Sequence, residues 1–108
     1  MNRIALVTLI LVLTIVHHAQ SSSSRLLIYA GAASKPATEE IVKGFQEKTG
    51  TVADVIFGGS GFVLSQMKLS KKGDLYFPGS SDFMELAKKE DLVFPESEKI
   101  VVYLVSAI

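Results

Sequence analysis

A run from the apolar end of a strand into glycines and a serine and then into a helical pattern leaves a chain few ways to fold. Here that run is Ile56-Phe57-Gly58-Gly59-Ser60-Gly61-Phe62-Val63-Leu64-Ser65-Gln66-Met67. A strand that is apolar on both faces needs cover on both sides, which a parallel sheet with crossover helices provides. The glycines let the backbone come close to whatever lies above the sheet, and the first helical amides have no intrahelical acceptor. With the Ser60 hydroxyl they make a small, neutral, donor-rich socket suited to an anion.

The same layout occurs twice more. Leu26-Leu27-Ile28-Tyr29-Ala30 runs into Gly31-Ala32-Ala33-Ser34, and Asp74-Leu75-Tyr76-Phe77 runs into Pro78-Gly79-Ser80-Ser81, each ahead of a helical pattern. One physical unit is thus repeated: apolar strand, small-residue loop with a serine, amphipathic helix. In an open α/β sheet the loops at the carboxyl ends of the strands line a common crevice. Three hydroxyl-bearing loops can therefore face one ligand.

Residues 1–24 read as a targeting segment. Arg3 precedes an apolar run from Ile4 to Val16, and His17-His18-Ala19-Gln20 and four serines follow. The run is short for a spanning helix, which needs about 20 residues, and suits a signal-peptide core. Cleavage after Ala19 and retention as an anchor, with Ser21 to Ser24 as a tether, are both compatible with it. Either way the expectation is export to the periplasm or the extracellular space.

Several chemistries are excluded by residue type. The 108 residues contain no cysteine, and both histidines fall in the targeting segment. Ser-His and Cys-His nucleophile systems are therefore absent beyond Ser21, as are nearly all transition-metal ligand sets. Gly58 to Phe62 lacks the final glycine of a nucleophile elbow, and no lysine follows the glycines as a P-loop requires. Eleven basic residues balance eleven acidic ones, so nothing marks a nucleic-acid surface. No catalytic residue and no metal ligand is assigned. Asp54, Asp74 and Asp82 read as turn and cap residues.

The exported part, residues 25–108, is expected to be α/β. Its first strand, Leu26 to Ala30, should be central. Pro36 suits the first turn of the following helix, with Ser34 as its N-cap, Ile41, Val42 and Phe45 facing inward, and Gly50 ending it. A cap and an anion can share the same amides. Val52 to Phe57 is the second strand, and its helix reaches about Ser70 with Val63, Leu64 and Met67 turned to the core. Lys71 and Lys72 belong to a solvated turn. The third helix carries Phe83, Met84, Leu86 and Ala87, with Asp82 expected to cap it. Ile100 to Ile108 is expected to be a long apolar strand, and its end without a turn or cap suggests a sequence incomplete at its C-terminus.

These residues in this order resemble the first lobe of the molybdate- and tungstate-binding receptors of ABC importers. The resemblance rests on Tyr29-Ala30-Gly31-Ala32-Ala33-Ser34, Glu39-Glu40-Ile41, Phe45 with Thr49-Gly50, Phe57-Gly58-Gly59-Ser60-Gly61 with Gln66-Met67, and Gly73-Asp74-Leu75-Tyr76. It implies a three-layer αβα lobe of a type II periplasmic binding protein, here truncated before the second lobe. It also implies a monomer that delivers a tetrahedral oxyanion to a membrane permease, without metal, cofactor or counter-cation. Ser34 and Ser60 match the family's ligand serines, with the amides of Ala33 and Gly61 as further donors. Lys35-Pro36 and Pro78-Gly79-Ser80-Ser81 depart from the family's usual loops, which leaves the roles of Ser80 and Ser81 open.

The residues support that implication independently in one respect. Beyond Arg25 there is no arginine, so the bidentate clamp usual for phosphate or carboxylate is missing from this lobe. Neutral donors suit a fully deprotonated dianion. A receptor of the same fold for sulfate or another small anion, and an exported interaction module without ligand, are the alternative readings.

Overall fold

The computed structural model describes residues 24–103. The expected targeting segment, apart from Ser24, and the expected final residues 104–108 lie outside the described residues.

Three parallel strands form one sheet in the order β2-β1-β3: β1 is Arg25–Gly31, β2 Val52–Gly58 and β3 Leu75–Phe77. β1 is central, as its apolar composition predicts. Tyr29 lies level with Ile56 on one side and with Tyr76 on the other. Helix α1 (Lys35–Thr49) packs on β1 and β2, while α2 (Ser60–Ser70) and α3 (Ser81–Lys89) pack together on the opposite face. The result is the three-layer αβα arrangement.

The core lies under α2 and α3. Tyr29 and Tyr76 from the sheet meet Val63, Leu64 and Met67 of α2 and Ala87 of α3, all buried. Each fully buried aliphatic side chain of this kind contributes about 1.5–3 kcal/mol. Phe83 and Met84 border the cluster, whereas Leu86 is exposed because it lies on the outer side of α3. Lys68 pairs with Glu90 at 2.6 Å and joins α2 to the end of α3.

Helix α1 departs from its expected orientation. Ile41 is 71% exposed and Phe45 is also exposed, so of the expected stripe Ile41-Val42-Phe45 only Val42 faces inward. The face toward the sheet is Thr38, Val42 and Gln46, spaced four residues apart as one side of a helix should be. The reason is the hydrogen bond that Gln46 makes. Its Oε1 accepts the N–H of Ala53 at 2.8 Å, satisfying a donor of edge strand β2 and setting the roll of the helix. The helix ends at Gly50, which is left-handed at φ 73° and donates to the Gln46 carbonyl at 2.9 Å.

The amino end of the sheet is held by carboxylates. Asp74 Oδ2 accepts the N–H of Leu27 at 2.8 Å, and the Asp74 N–H donates to the Leu27 carbonyl at 2.8 Å. Arg25 grips Asp54 across β1 and β2 at 2.5 and 2.8 Å, which raises the guanidinium's already high pKa. These partners give Asp54 and Asp74 structural roles, Asp54 from within β2 and not from the turn or cap position expected of it.

Residues 100–103 form no strand and are exposed, against the expectation of a strand from Ile100. They follow a 3-10 turn at Pro95–Ser97 and a contact that fixes Glu98 to Lys88 of α3. The free edge of β3 offers only three residues for pairing.

Candidate functional site

The three loops meet at the carboxyl end of the sheet. Gly31 lies level with Gly58, and Ala30 with Phe77, so the chain leaves all three strands at nearly one height. The loops are also in contact. A Cβ on Gly31 would stand 2.9 Å from the Gly79 amide nitrogen, and a Cβ on Gly79 would stand 3.1 Å from Ser60 Oγ. The first loop thus packs against the third, and the third against the serine of the second. Glycine at 31 and 79 is what permits this approach.

Ser60 begins α2, and no hydrogen bond joins its hydroxyl to another described residue. The first helical bond of α2 runs from the Val63 N–H to the Gly59 carbonyl at 3.0 Å. The amides of Ser60, Gly61 and Phe62 therefore precede the helical ladder. Gly59 has only open space where a side chain would stand, and Gly61 meets only the ring of Phe83 at 3.8 Å. Internal packing does not require glycine at either position. Their bareness leaves the amides open to a bound group.

Ser34 is placed differently from its expectation as a plain N-cap. A 3-10 turn, Ala32–Ser34, precedes α1, and Ser34 occupies the cap position without a side-chain capping bond. Its Oγ donates instead to the Gly31 carbonyl at 2.8 Å and accepts from Thr38 Oγ1 at 3.1 Å. Ala33 is exposed, with its amide at the opening of the turn where helical acceptors are lacking. Thr38 was not legible as part of this loop, although a residue one turn after Ser34 shares its helix face. In the third loop Ser80, not Asp82, is the cap residue of α3, and it makes no side-chain capping bond. Asp82 stands in the first turn, where the helix dipole favours a carboxylate.

The electrostatics of this end are simple. Lys35 is the one cation in the loops or the first turns that follow them. Its Nζ sits 5.6 Å from the centroid of the Phe57 ring and 3.8 Å from Glu39. Arg25 is at the opposite end of a seven-residue strand, which spans about 20 Å. No group of His, Cys, Asp or Glu among the described residues is placed to hold a metal ion.

A separate groove of about 550 Å³ runs along the outer edge of β3. Ile41, Val42, Leu75, Leu92 and Val93 are among its walls, which are largely carbon. Thr38, Asp74, Ser97, Glu98 and Lys99 are among its polar lining.

An αβα unit whose small-residue loops converge at the carboxyl end of a parallel sheet has the layout of a ligand-binding lobe. The chain belongs to the family described as bacterial extracellular solute-binding protein, whose model matches residues 26–108. A Haemophilus influenzae protein named "Putative binding protein" is 39% identical over 59 residues, which are 55% of this chain and 24% of the relative. A solved structure, "substrate binding domain of putative molybdenum ABC transporter from Clostridium difficile", aligns with a TM-score of 0.57 at 26% identity. That alignment covers 63% of this chain and 30% of the other. The chain therefore spans about a quarter to a third of the proteins it matches.

Proposed function

We propose that this chain forms one lobe of an extracytoplasmic receptor for an ABC importer, and that the receptor binds molybdate or tungstate without chemically altering it. The observation that carries this reading is the contact of the three small-residue loops around Ser60, whose hydroxyl has no partner among the described residues. A tetrahedral dianion offers four acceptor oxygens and no donor. The lobe offers the complement: the hydroxyls of Ser60 and Ser34 and the amides of Ala33 and Gly61. The Clostridium difficile structure, named for molybdenum transport, supports the same ligand class.

The absence of arginine from this end of the sheet bears on selectivity. Phosphate near neutral pH is partly protonated, and its hydroxyl needs an acceptor in the pocket. Ser60 and the loop amides present donors, so they favour an anion that is fully deprotonated. Each hydrogen bond to a charged oxygen contributes about 1.5–3 kcal/mol, which makes two loops part of a tight site. A second lobe, closing over the exposed side of the anion, supplies the remaining donors in this reading. The permease then takes the anion from the closed receptor.

Calorimetry of the full-length protein with sodium tungstate and then with phosphate tests this. Tungstate should bind tightly and phosphate weakly or not at all, and Ser60→Ala should weaken tungstate binding about 10- to 100-fold. Equal affinity for the two anions, or an unchanged affinity in Ser60→Ala, would refute the proposal.

A further inference from the structure

We infer that Thr38 is a positioning residue that aims the Ser34 hydroxyl, and so helps set the anion affinity of the first loop; this rests on the oxyanion reading above. Thr38 keeps 9% of its surface exposed and is the one buried polar residue among those described. Its Oγ1 donates to Ser34 Oγ at 3.1 Å, and Ser34 Oγ donates to the Gly31 carbonyl at 2.8 Å. Three groups thus form a relay from the helix interior to the loop.

The hydrogen bond that Thr38 makes is unlike those of comparable residues in this chain. A serine or threonine inside a helix ordinarily bonds the carbonyl four residues back. Thr49 does so to the Phe45 carbonyl at 2.8 Å, and Ser65 to the Gly61 carbonyl at 2.8 Å. Thr38 instead spends its proton on the side chain of Ser34, which sits at the same four-residue spacing.

The consequence follows from the inventory of a hydroxyl, which has one proton and two lone pairs. Thr38 fills one lone pair of Ser34 and leaves the Ser34 proton free to choose its acceptor. In this structure that acceptor is the Gly31 carbonyl. A dianion at the loop is the stronger acceptor, and Ser34 can turn its proton to it while Thr38 still holds the oxygen in place. Donation from Thr38 also polarises the Ser34 O–H, which strengthens the bond it gives. The bond from Thr38 is kept when the ligand arrives, and only the Gly31 carbonyl gives up its donor.

The test is tungstate calorimetry on the full-length wild type, Thr38→Val, Thr38→Ser, Ser34→Ala and the double variant Ser34→Ala/Thr38→Val, with thermal unfolding run on each. Thr38→Val keeps the volume and removes the hydroxyl. It should weaken tungstate binding about fivefold, Thr38→Ser should restore it to within about twofold, and Thr38→Val should change nothing once Ser34 is alanine. Should Thr38→Val not fold, Thr38→Ala carries the same comparison. Unchanged affinity in Thr38→Val, or an equal loss with and without Ser34, would overturn the positioning role while leaving the oxyanion reading in place. Failure of the wild type to bind tungstate would instead overturn that reading, and the role of Thr38 with it.

Discussion

Two tyrosines that lie level in neighbouring strands should respond in opposite directions to the same substitution. Tyr29 is 2% exposed and Tyr76 8% exposed, and both belong to the core under α2 and α3. The Tyr29 hydroxyl pairs with Ser70 Oγ at 2.8 Å. The Tyr76 hydroxyl is buried and has no hydrogen-bond partner among the described residues. A buried polar group left unsatisfied costs about 1–3 kcal/mol, whereas a made bond contributes about 0.5–1.5 kcal/mol. Removing one oxygen forfeits only a few dispersion contacts at about 0.1–0.2 kcal/mol each. Tyr76→Phe should therefore raise the unfolding free energy by about 1 kcal/mol, and Tyr29→Phe should lower it by about as much. Urea unfolding at constant m-value measures both. The pH dependence supplies a second reading. Burial raises the Tyr76 pKa above its ordinary value of 10.0. The unfolded chain consequently ionises first, and the stability held below that ordinary value is lost as pH rises from it through the raised folded value. In Tyr76→Phe this share of the alkaline loss should vanish. If Tyr76→Phe destabilises as much as Tyr29→Phe, the Tyr76 hydroxyl has a partner and the reasoning fails.

Other substitutions probe the loops and the helix that supports them. Gly31→Ala places a methyl group 2.9 Å from the Gly79 backbone, so the first and third loops must part; a stability loss of about 1–3 kcal/mol and weaker tungstate binding should appear together. Gln46→Met keeps the bulk of the side chain and removes the acceptor of the Ala53 N–H, and urea unfolding should show a loss of about 1 kcal/mol. Lys35→Met removes the one cation near the loops, and its Glu39 partner is exposed, so stability should stay within about 0.5 kcal/mol. Tungstate affinity should fall about two- to threefold at low salt in that variant, and the difference from wild type should close as salt is raised toward about 1 M.

The strands and the buried face of α2 were legible because their signals are local. A continuous apolar run marked β1, a run interrupted at Asp54 marked β2, and the spacing of Val63, Leu64 and Met67 marked one face of α2. The central position of β1 followed from its composition alone. On helix α1 the expected inner positions of Ile41 and Phe45 fail for a reason of the same kind. Ile41 and Phe45 outweigh Thr38 and Gln46 on any hydropathy argument, yet a single side-chain bond to an edge strand rolls the polar pair inward. Such a bond joins residues seven apart and leaves no periodic trace. The same limit applies to residues 100–103, whose β-branched run suits a strand but pairs with no edge among the described residues. Strand propensity describes a fit to neighbours and does not supply them.

The candidate site was legible as loops and not as a hydrogen-bonded state. Serines after small residues at the ends of strands pointed to Ser34 and Ser60, and both stand at the carboxyl end of the sheet. What sequence could not distinguish is that one hydroxyl is committed and the other is not. Ser34 gives its proton to Gly31 and takes one from Thr38, whereas no described residue bonds the Ser60 hydroxyl. That asymmetry assigns the two serines different work. Ser60 can meet an anion without breaking a bond, so its removal should cost the full strength of a charge-assisted hydrogen bond. Ser34 must exchange the Gly31 carbonyl for the ligand, so the gain on binding is the difference between two bonds and should be smaller. Ser34→Ala is therefore expected to weaken tungstate binding less than Ser60→Ala, and calorimetry of the two variants side by side decides it. The reverse order would mean that the anion sits on the first loop and that Ser60 only lines the approach to it.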